Sequence, residues 1–314
     1  MLVALFYLIA VSLTGLLSPP ERNTFAPLCI DVHTTEHTRM NPPAPKSAVL
    51  SEQDATFFEQ NGYLLIKDAL SPGLLAELNE AADALYARAE QQTGLEPHGK
   101  LNLRNCVVHH DAFLQLLDHP TTAPLAWQIL GWNIQMVTTH LIVLPSQAEP
   151  SQEKKAQLGW HRDGGTSSNE MSEPHPRILL KIAYALSDQT LPSSGATWIV
   201  PGSNRMIGKP PVDAETGLLR GAKPLNVPAG SAFIFEQRTF HSIGHNWSGF
   251  PRKTLFVGYA YRWVKPMDYV QMPDQLIARA NPVQRQLLGD VSDALSYYIP
   301  RDEDVPLKAM MQAR

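Results

Sequence analysis

The sequence predicts a mainly β fold with flanking helices, built as a double-stranded β-helix or jelly roll. Helical spacing of apolar residues dominates up to Gly131, whereas from Ile134 onward the pattern changes to short runs of β-branched and aromatic residues. Turns rich in Pro, Gly and Ser separate these runs. Many short strands with turn signals between them, preceded by helices, are typical of two sheets that wrap around one core.

Capping residues and apolar spacing place the helices. Ser51 and the Ser71-Pro72 pair are typical helix starts, and Asn61-Gly62 is a typical stop. The predicted helices are 51–61, 72–91, 112–117, 123–130 and, near the C-terminus, 282–288. Beyond about Pro300 the chain is rich in charged residues, and we expect a mobile tail there.

Strands are expected where β-branched residues recur between turn signals, at 63–66, 135–144, 178–186, 198–200, 231–235 and 254–263. The last strand offers an internal check, because side chains alternate between the two faces of a strand. If Arg252 points into the barrel, Thr254 and Phe256 point inward as well, and Lys253 faces outward.

The first 50 residues differ from the rest of the chain. Residues 2–17 form an apolar run that is short for a membrane span and has no Lys or Arg ahead of it, and residues 18–50 are rich in Pro, Thr and Asn. We therefore predict that residues 1–50 are a leader outside the fold, disordered or an over-extended start, with Met40 as a second plausible start. Residues 51–314 are then one domain. A weak N-terminal membrane anchor is the alternative.

The composition is that of an ordinary globular domain with a net charge of -4. No run of Lys and Arg offers a surface for nucleic acid, so we do not expect nucleic acid as a partner. Cys29 and Cys106 are the only cysteines, too few for a disulfide framework or a thiolate zinc cluster. These features favour a cytoplasmic protein, and they leave the oligomeric state open.

One short motif carries the strongest chemical signal. His161 and Asp163 are two residues apart at a strand edge that runs into Gly164-Gly165, so both side chains point to one side and the backbone can come close to a ligand. His241, at the start of a later stretch rich in Gly, Asn and Ser, is the candidate third ligand. Two imidazoles and one carboxylate on one face are the ligand set of a non-haem Fe(II) site with open positions.

Arg252 follows the distal His by eleven residues and could hold a dicarboxylate in a bidentate fork. Together with the H-x-D motif, the distal His and the stretch SGATWIVPGSN at 194–204, it resembles the phytanoyl-CoA dioxygenase family of Fe(II)/2-oxoglutarate oxygenases. The resemblance covers roughly residues 51–290. It implies a cupin-like jelly roll, Fe(II) held by the two His and the Asp as the catalytic centre, 2-oxoglutarate bound by Arg252, and O2 as the second co-substrate.

Two further residues are candidates for contact with the co-substrate. His140 lies on a strand that is expected to line the barrel, and Ser242 directly follows the distal His. Many relatives have a small hydroxyl residue two positions after that His, where this chain has Ile243, and their Pro-Gly-Ser-His turn ends here in Asn204. His245 is an alternative distal ligand, but it has no Arg at the same spacing.

The sequence leaves two features open. Lys181 lies in the middle of a predicted strand, where a buried charge needs a partner, so it either reaches a carboxylate in the pocket or faces solvent. Residues 146–158 form a polar, charged loop directly before the H-x-D motif, in the position expected of a lid.

The resemblance implies a dioxygenase that hydroxylates a small molecule, either a natural-product intermediate or a lipid or acyl compound, with release of succinate and CO2. A metal-binding cupin without oxygenase activity, such as an isomerase or a binding protein, is the alternative, because it would not need Arg252. A zinc peptidase based on the H-x-x-E-H pattern at 33–37 is disfavoured, since Pro27 and Pro42 flank a stretch without helical periodicity. A halogenase is disfavoured because Asp163 stands where a small residue would leave room for halide.

Overall fold

Two antiparallel sheets form the centre of the molecule. The structure is a computed structural model of the chain, and it describes residues 47–92, 94–149, 158–164 and 170–312. Several predicted features lie outside the described residues, namely nearly all of the leader with Met40, the H-x-x-E-H pattern, Gly165 and residues 150–157 of the predicted lid.

The strands follow the predicted pattern of short, antiparallel segments. They are β1 (Tyr63–Ile66), β2 (Leu101–Arg104), β3 (Ile134–Leu144), β4 (Leu179–Ala185), β5 (Thr197–Ile199), β6 (Lys223–Pro224), β7 (Ala232–Glu236), β8 (His241–Ile243) and β9 (Arg252–Tyr261). The larger sheet has the order β1-β7-β4-β9-β3-β2 and the smaller sheet the order β6-β5-β8. Their inner faces meet in an apolar cluster that includes Ile142, Ile199 and Phe235. The predicted jelly roll is therefore confirmed.

Helices cover the outer face of the larger sheet. They are α1 (Glu52–Asn61), α2 (Pro72–Gln92), α3 (Asp111–Leu114), α4 (Ala123–Leu130), α5 (Asp274–Arg279), α6 (Pro282–Leu287) and α7 (Pro306–Gln312). The caps act as predicted, because the Ser51 side chain accepts from Asp54 N–H at the start of α1 and Gly62 ends that helix with a φ of 77°. The main core lies between these helices and the outer face of the larger sheet, with Leu78 and Trp127 on the helix side.

Alternation along β9 agrees with the prediction. Phe256 lies in the apolar cluster between the sheets, whereas Leu255 lies in the core beneath the helices. Arg252 is 1% exposed. Lys253 points the other way, and its Nζ donates to Asp83 Oδ2 on α2 at 2.7 Å. The period of the strand therefore distinguishes the two neighbouring cations.

Three strands are not predicted by the sequence. β2, β6 and β8 have four residues or fewer, and unlike the equally short β1 and β5 they carry few of the β-branched and aromatic residues that mark a strand. In β8 the extended backbone is fixed by pairing with β5, in which Ile199 lies opposite His241. Its conformation thus comes from tertiary pairing rather than from local propensity.

The chain joins the domain a few residues before the predicted boundary at residue 51. Leu50 N–H donates to Gln128 Oε1 at 3.1 Å, and Gln128 Nε2 donates to Ala48 O at 3.1 Å. Residues 47–50 therefore lie against α4, and the rest of the leader stays a prediction. None of the helices in the described ranges is long and apolar enough to span a bilayer.

The prediction of a mobile tail beyond about Pro300 is wrong. Leu307, in the first turn of α7, is fully buried in the main core, and its N–H donates to Gln286 Oε1 on α6 at 3.1 Å. Charged residues dominate the composition of this segment and hide its apolar signal, but the buried side chains of Val305 and Leu307 contribute to holding the short helix against the domain.

We expect Leu307→Ala to lower the free energy of unfolding by about 2 to 5 kcal/mol, because it opens a cavity in a closed part of the core. Met310→Ala on the exposed side of α7 is the matched control, and it should change stability by less than about 0.5 kcal/mol. Urea unfolding followed by circular dichroism measures both. Equally small effects would mean that α7 does not contribute to the core.

Candidate metal centre

Backbone pairing brings the H-x-D segment and β8 together. His161 N–H donates to His241 O at 3.1 Å, and His241 N–H donates to His161 O at 3.0 Å. Asp163 N–H donates to Gln237 O at 3.0 Å, which extends the contact toward β7. As a result, potential ligand atoms of His161, Asp163 and His241 all lie within 4.8 Å of one another. The structure thus gathers the three residues that the sequence singles out.

The two imidazoles are oriented by backbone carbonyls. His161 Nδ1 lies 2.8 Å from Gly159 O, and His241 Nδ1 lies 2.9 Å from Thr239 O. Because a carbonyl can only accept, each Nδ1 carries the proton and each Nε2 keeps a free lone pair. Burial lowers the pKa of His241 to about 4, although Asp163 opposes the shift, so this ring is neutral near pH 7 as metal ligation requires.

Asp163 offers one oxygen to a cation. It is 8% exposed, and its Oδ1 accepts from Lys181 Nζ at 2.7 Å. Its Oδ2 is buried, has no hydrogen-bond partner within the described chain and lies 3.9 Å from His241 Nε2. Burial would raise the pKa of Asp163, but the charge of Lys181, followed by that of His241, outweighs it and brings the pKa to about 2. An ionised oxygen without a partner beside two imidazole lone pairs fits a metal ion.

Lys181 faces the barrel interior, which resolves the question that the sequence left open. It is 7% exposed and shares its face of β4 with Ala183 and Ala185, which belong to the apolar cluster between the sheets. Leu180 and Ile182 point to the helix side. The strand period therefore fixes the direction of Lys181, and Asp163 supplies the carboxylate that makes its burial tolerable.

Arg252 is a buried cation with open donors. Its Nη2 donates to Thr197 Oγ1 at 3.2 Å, whereas Nε and Nη1 have no partner within the described residues. Burial lowers its pKa to about 9. Gly195 leaves space for the arginine, since a Cβ at that glycine would lie 2.8 Å from Arg252 Cδ. A guanidinium without a counter-charge is costly in a dry interior, so this position suits an anionic ligand.

The other two candidates, His140 and Ser242, lie outside the ligand cluster. His140 faces the barrel interior, with its Nε2 against Asn102 Oδ1, and burial followed by the nearby cations lowers its pKa to about 3. Ser242 Oγ donates to Ile243 O at 3.2 Å. Since His241 and Ser242 are adjacent on a strand, their side chains point to opposite faces. The structure therefore does not bring Ser242 to the arginine, and a co-substrate role of His140 or Ser242 stays a prediction.

Sequence reasoning missed Thr197, the hydroxyl that contacts Arg252. It lies within the stretch used for the family resemblance, two residues before Ile199, whose side chain belongs to the cluster between the sheets. That spacing would have indicated an inward hydroxyl. His245, the alternative distal ligand, stacks on Trp247 with ring centroids 5.7 Å apart, and the ligand cluster contains His241 instead.

The PGSN turn at 201–204 is bonded to the segment that leads into the distal His241. Ser203 Oγ donates to Val200 O at 2.6 Å and accepts from Phe240 N–H at 2.9 Å. Asn204 Nδ2 donates to Glu236 Oε1, a fully buried carboxylate at the end of β7. These bonds fix the turn against the end of β7 and the start of β8. Asn204, which stands where many relatives have His, therefore makes a structural contact with β7.

A jelly roll with two imidazoles and one carboxylate gathered inside it is the architecture of the Fe(II)/2-oxoglutarate oxygenase superfamily. The chain matches the family described as phytanoyl-CoA dioxygenase (PhyH) over residues 58–254. This match spans more than half of the chain, which therefore belongs to the phytanoyl-CoA dioxygenase family. The resemblance seen in the sequence is confirmed.

Curated relatives cover most of the chain. Uncharacterized proteins from Mycobacterium bovis and Mycobacterium tuberculosis are each 27% identical over 258 residues, which covers 77% of this chain and 89% of the relative. The ectoine dioxygenase of Sphingopyxis alaskensis is 23% identical over 241 residues, which covers 68% of this chain and 76% of the relative.

Two solved enzymes from nogalamycin biosynthesis share the fold. The non-heme alpha ketoglutarate dependent epimerase SnoN has 20% identity and a TM-score of 0.51, with 67% of this chain and 82% of SnoN covered. The alpha ketoglutarate dependent carbocyclase SnoK has 19% identity and a TM-score of 0.53, with 74% and 92% covered. SnoN has also been solved in complex with Fe3+, alpha ketoglutarate and nogalamycin RO. At these identities the likeness shows the jelly-roll fold.

We expect Gly195→Ala to destabilise the protein more than Gly221→Ala. Both glycines have a positive φ, 73° and 80°, so each substitution carries a backbone cost of about 1–2 kcal/mol. Only at position 195 would the new methyl meet the stem of Arg252, which adds about 1–3 kcal/mol of overpacking. Urea unfolding compares the two variants, and equal losses would argue against close packing of Arg252 on Gly195.

Proposed function

We propose that this protein is a mononuclear, non-haem Fe(II)- and 2-oxoglutarate-dependent dioxygenase that hydroxylates a small molecule and releases succinate and CO2. The observation that carries the proposal is the buried, open-donor Arg252 on the same barrel interior as the cluster of His161, Asp163 and His241. A metal site alone is compatible with many reactions. A dicarboxylate co-substrate would also explain why the barrel holds a second position, Arg252, that needs an anion.

The two histidines would hold Fe(II) through Nε2 and Asp163 would hold it through Oδ2. Nitrogen and carboxylate donors suit Fe(II), whereas a thiolate site is not available from Cys106, which is fully buried in the main core. When bound, the iron supplies with 2-oxoglutarate and O2 the oxidising chemistry that no side chain in the barrel provides. His161 is exposed, so the ligand cluster is open to solvent on one side.

Arg252 would bind the distant carboxylate of 2-oxoglutarate. Its Nε and Nη1 have no partner within the described residues, so each leaves an N–H free to donate, and the Thr197 hydroxyl accepts from the third nitrogen, Nη2. The fork is therefore oriented before a ligand arrives, which lowers the entropic cost of binding.

Apolar side chains limit the access of water on the buried side of the ligand cluster. Ile142, Phe235 and Phe256 are each less than 9% exposed and line the space between the sheets, and the Phe235 ring lies 4.7 Å from that of His241. Charge-assisted contacts are stronger where water is excluded, and reactive species are protected there from side reactions. The chain would thus bind and orient the co-substrate and exclude water, while the bound group supplies the chemistry.

Hydroxylation is the outcome that we propose, with a small molecule as substrate. The ectoine dioxygenase among the relatives supports a small substrate, and the epimerase and carbocyclase among the structural neighbours define the other reaction outcomes to be tested. A metal-binding cupin without oxygenase activity would not need an anion at Arg252, and it is the alternative that the experiments exclude or establish.

Anaerobic reconstitution with Fe(II) and 2-oxoglutarate tests the proposal directly. The reconstituted protein is exposed to O2 with natural-product scaffolds, acyl compounds and small zwitterions, and succinate release is measured with product mass. Substrate-dependent succinate with a mass gain of one oxygen supports hydroxylation. A converted product of unchanged mass indicates epimerisation, and one that has lost two hydrogens indicates cyclisation. Fe(II) binding without 2-oxoglutarate binding or succinate would establish the non-oxygenase alternative.

Replacing His161 or His241 by Ala, or Asp163 by Asn, should each weaken binding of Co(II), used as an air-stable substitute for Fe(II), by more than about 100-fold. Even residues behind metal ligands typically account for 10- to 100-fold in affinity, so the ligands themselves should account for more. His245→Ala is the control and should bind Co(II) normally. Loss of binding in the control with retention in His241→Ala would assign the distal ligand to His245.

Arg252→Ala should weaken 2-oxoglutarate binding to the Fe(II)-loaded protein by about 30- to 1,000-fold, because a charge-assisted bidentate contact in a dry site contributes about 2–4 kcal/mol. Arg252→Lys should recover only part of this loss, since an ammonium does not reproduce the planar fork. Lys253→Ala is the matched control on the opposite face and should leave the affinity unchanged. Calorimetric titration under nitrogen measures all three, and equal effects at 252 and 253 would contradict the proposed function.

A further inference from the structure

Lys181 has no part in the function proposed above, yet it touches a residue of the metal centre. It lies on β4 directly opposite Gly258 of β9 and is 7% exposed. Its Nζ donates to Asp163 Oδ1 at 2.7 Å. Both partners of this ion pair are buried, so the pair is protected from the solvent screening that weakens surface ion pairs.

The barrel leaves a defined space for the lysine stem. A Cβ at Gly258 would lie 3.5 Å from Lys181 Cγ and 2.5 Å from Thr138 Cγ2. The glycine thus leaves room on β9 for the side chains of Thr138 on β3 and Lys181 on β4. From this position Lys181 reaches Asp163 on the H-x-D segment, which lies outside the named strands and has few other anchors for its carboxylate.

The ion pair limits how Asp163 can bind a metal. Lys181 occupies Oδ1, and only Oδ2 faces the two imidazoles without a partner. With one donor atom from each of the three residues, a bound six-coordinate ion would keep three positions for exogenous ligands. A carboxylate free to turn could contribute both oxygens and would occupy a position that a chelating co-substrate needs.

Charge adds a second effect. Two neutral imidazoles, one carboxylate and a divalent ion give a net charge of about +1, and dianionic 2-oxoglutarate changes this to about -1. Arg252 compensates the far end of the co-substrate, whereas Lys181 is the cation beside the metal end. Its charge competes with the metal ion for Asp163, and it attracts the dianion.

We propose that Lys181 is a positioning residue that restricts Asp163 to one metal-binding oxygen and favours binding of the dianionic co-substrate to the loaded centre. The inference rests on the proposed function. It predicts that loss of Lys181 weakens 2-oxoglutarate binding without weakening metal binding. Simple damage to the fold would weaken both.

The test compares Lys181→Met, Lys181→Arg and the control Lys253→Met in the full chain. Lys253 also pairs with a carboxylate at 2.7 Å but on the helix side of the sheet. Co(II) affinity and the visible absorption of bound Co(II), which reports its coordination number, are measured first. The affinity of the Fe(II)-loaded protein for 2-oxoglutarate is then measured from its charge-transfer absorption under nitrogen.

In Lys181→Met we expect unchanged or tighter Co(II) binding, an altered Co(II) spectrum and a dissociation constant for 2-oxoglutarate raised at least about tenfold, equivalent to 1.4 kcal/mol. Lys181→Arg, which keeps charge and donors, should lie within about threefold of the original protein. Lys253→Met should change neither affinity nor spectrum.

Equal 2-oxoglutarate affinity in Lys181→Met and the original protein would overturn the inference, and so would a parallel loss of metal and co-substrate binding. If Lys181→Met does not fold, Lys181→Gln carries the same test, and unchanged 2-oxoglutarate affinity in that variant overturns the inference. If the original protein, loaded with Fe(II), does not bind 2-oxoglutarate, the proposed function and the inference both fail. Normal binding in the original protein with no difference in the variants removes the inference alone.

Discussion

The antiparallel backbone pairing of His161 with His241 is the contact on which the candidate centre depends. It joins two segments that are far apart in the sequence and are short in regular structure, so neither would hold its imidazole in place alone. Each ring is then oriented by a carbonyl two residues earlier in its own segment. The geometry of the cluster is therefore a property of the backbone, which explains how exposed His161 and buried His241 can present equivalent nitrogens.

The two-residue period of the strands decides which charges enter the barrel. On β9 it turns Arg252 inward and Lys253 toward α2, and on β4 it turns Lys181 inward among small side chains. Only some of the inward charges are fully satisfied within the described chain, because Asp163 Oδ2 and two nitrogens of Arg252 have no partner. A metal ion would satisfy the open oxygen of Asp163, and a carboxylate would satisfy the open donors of Arg252.

Local rules account for much of what the sequence predicts. The caps of α1 and the inward direction of Arg252 depend on neighbouring residues or on a strict period, and both agree with the structure. The contact between Thr197 and Arg252 depends on the pairing of short strands, and the partner of Lys181 depends on the path of the H-x-D segment. Such non-local contacts have no periodic signal, and the docking of the C-terminal segment rests on a few apolar residues, among them Val305 and Leu307, in a stretch rich in charges.

Burying the Arg252 guanidinium without a counter-charge makes the ligand-free fold less favourable, and binding of an anion would recover that free energy. Burial lowers the pKa of Arg252 to about 9, so the fold holds this cation at a cost, whereas the charge of Lys181 offsets the burial of Asp163 and keeps the pKa of that carboxyl low. A ligand that binds only the folded chain stabilises it, by about 2.7 kcal/mol at 100 times its dissociation constant. The desolvation of Arg252 therefore also makes this position selective, because a neutral ligand leaves the cost of burying the cation in place and a carboxylate removes it.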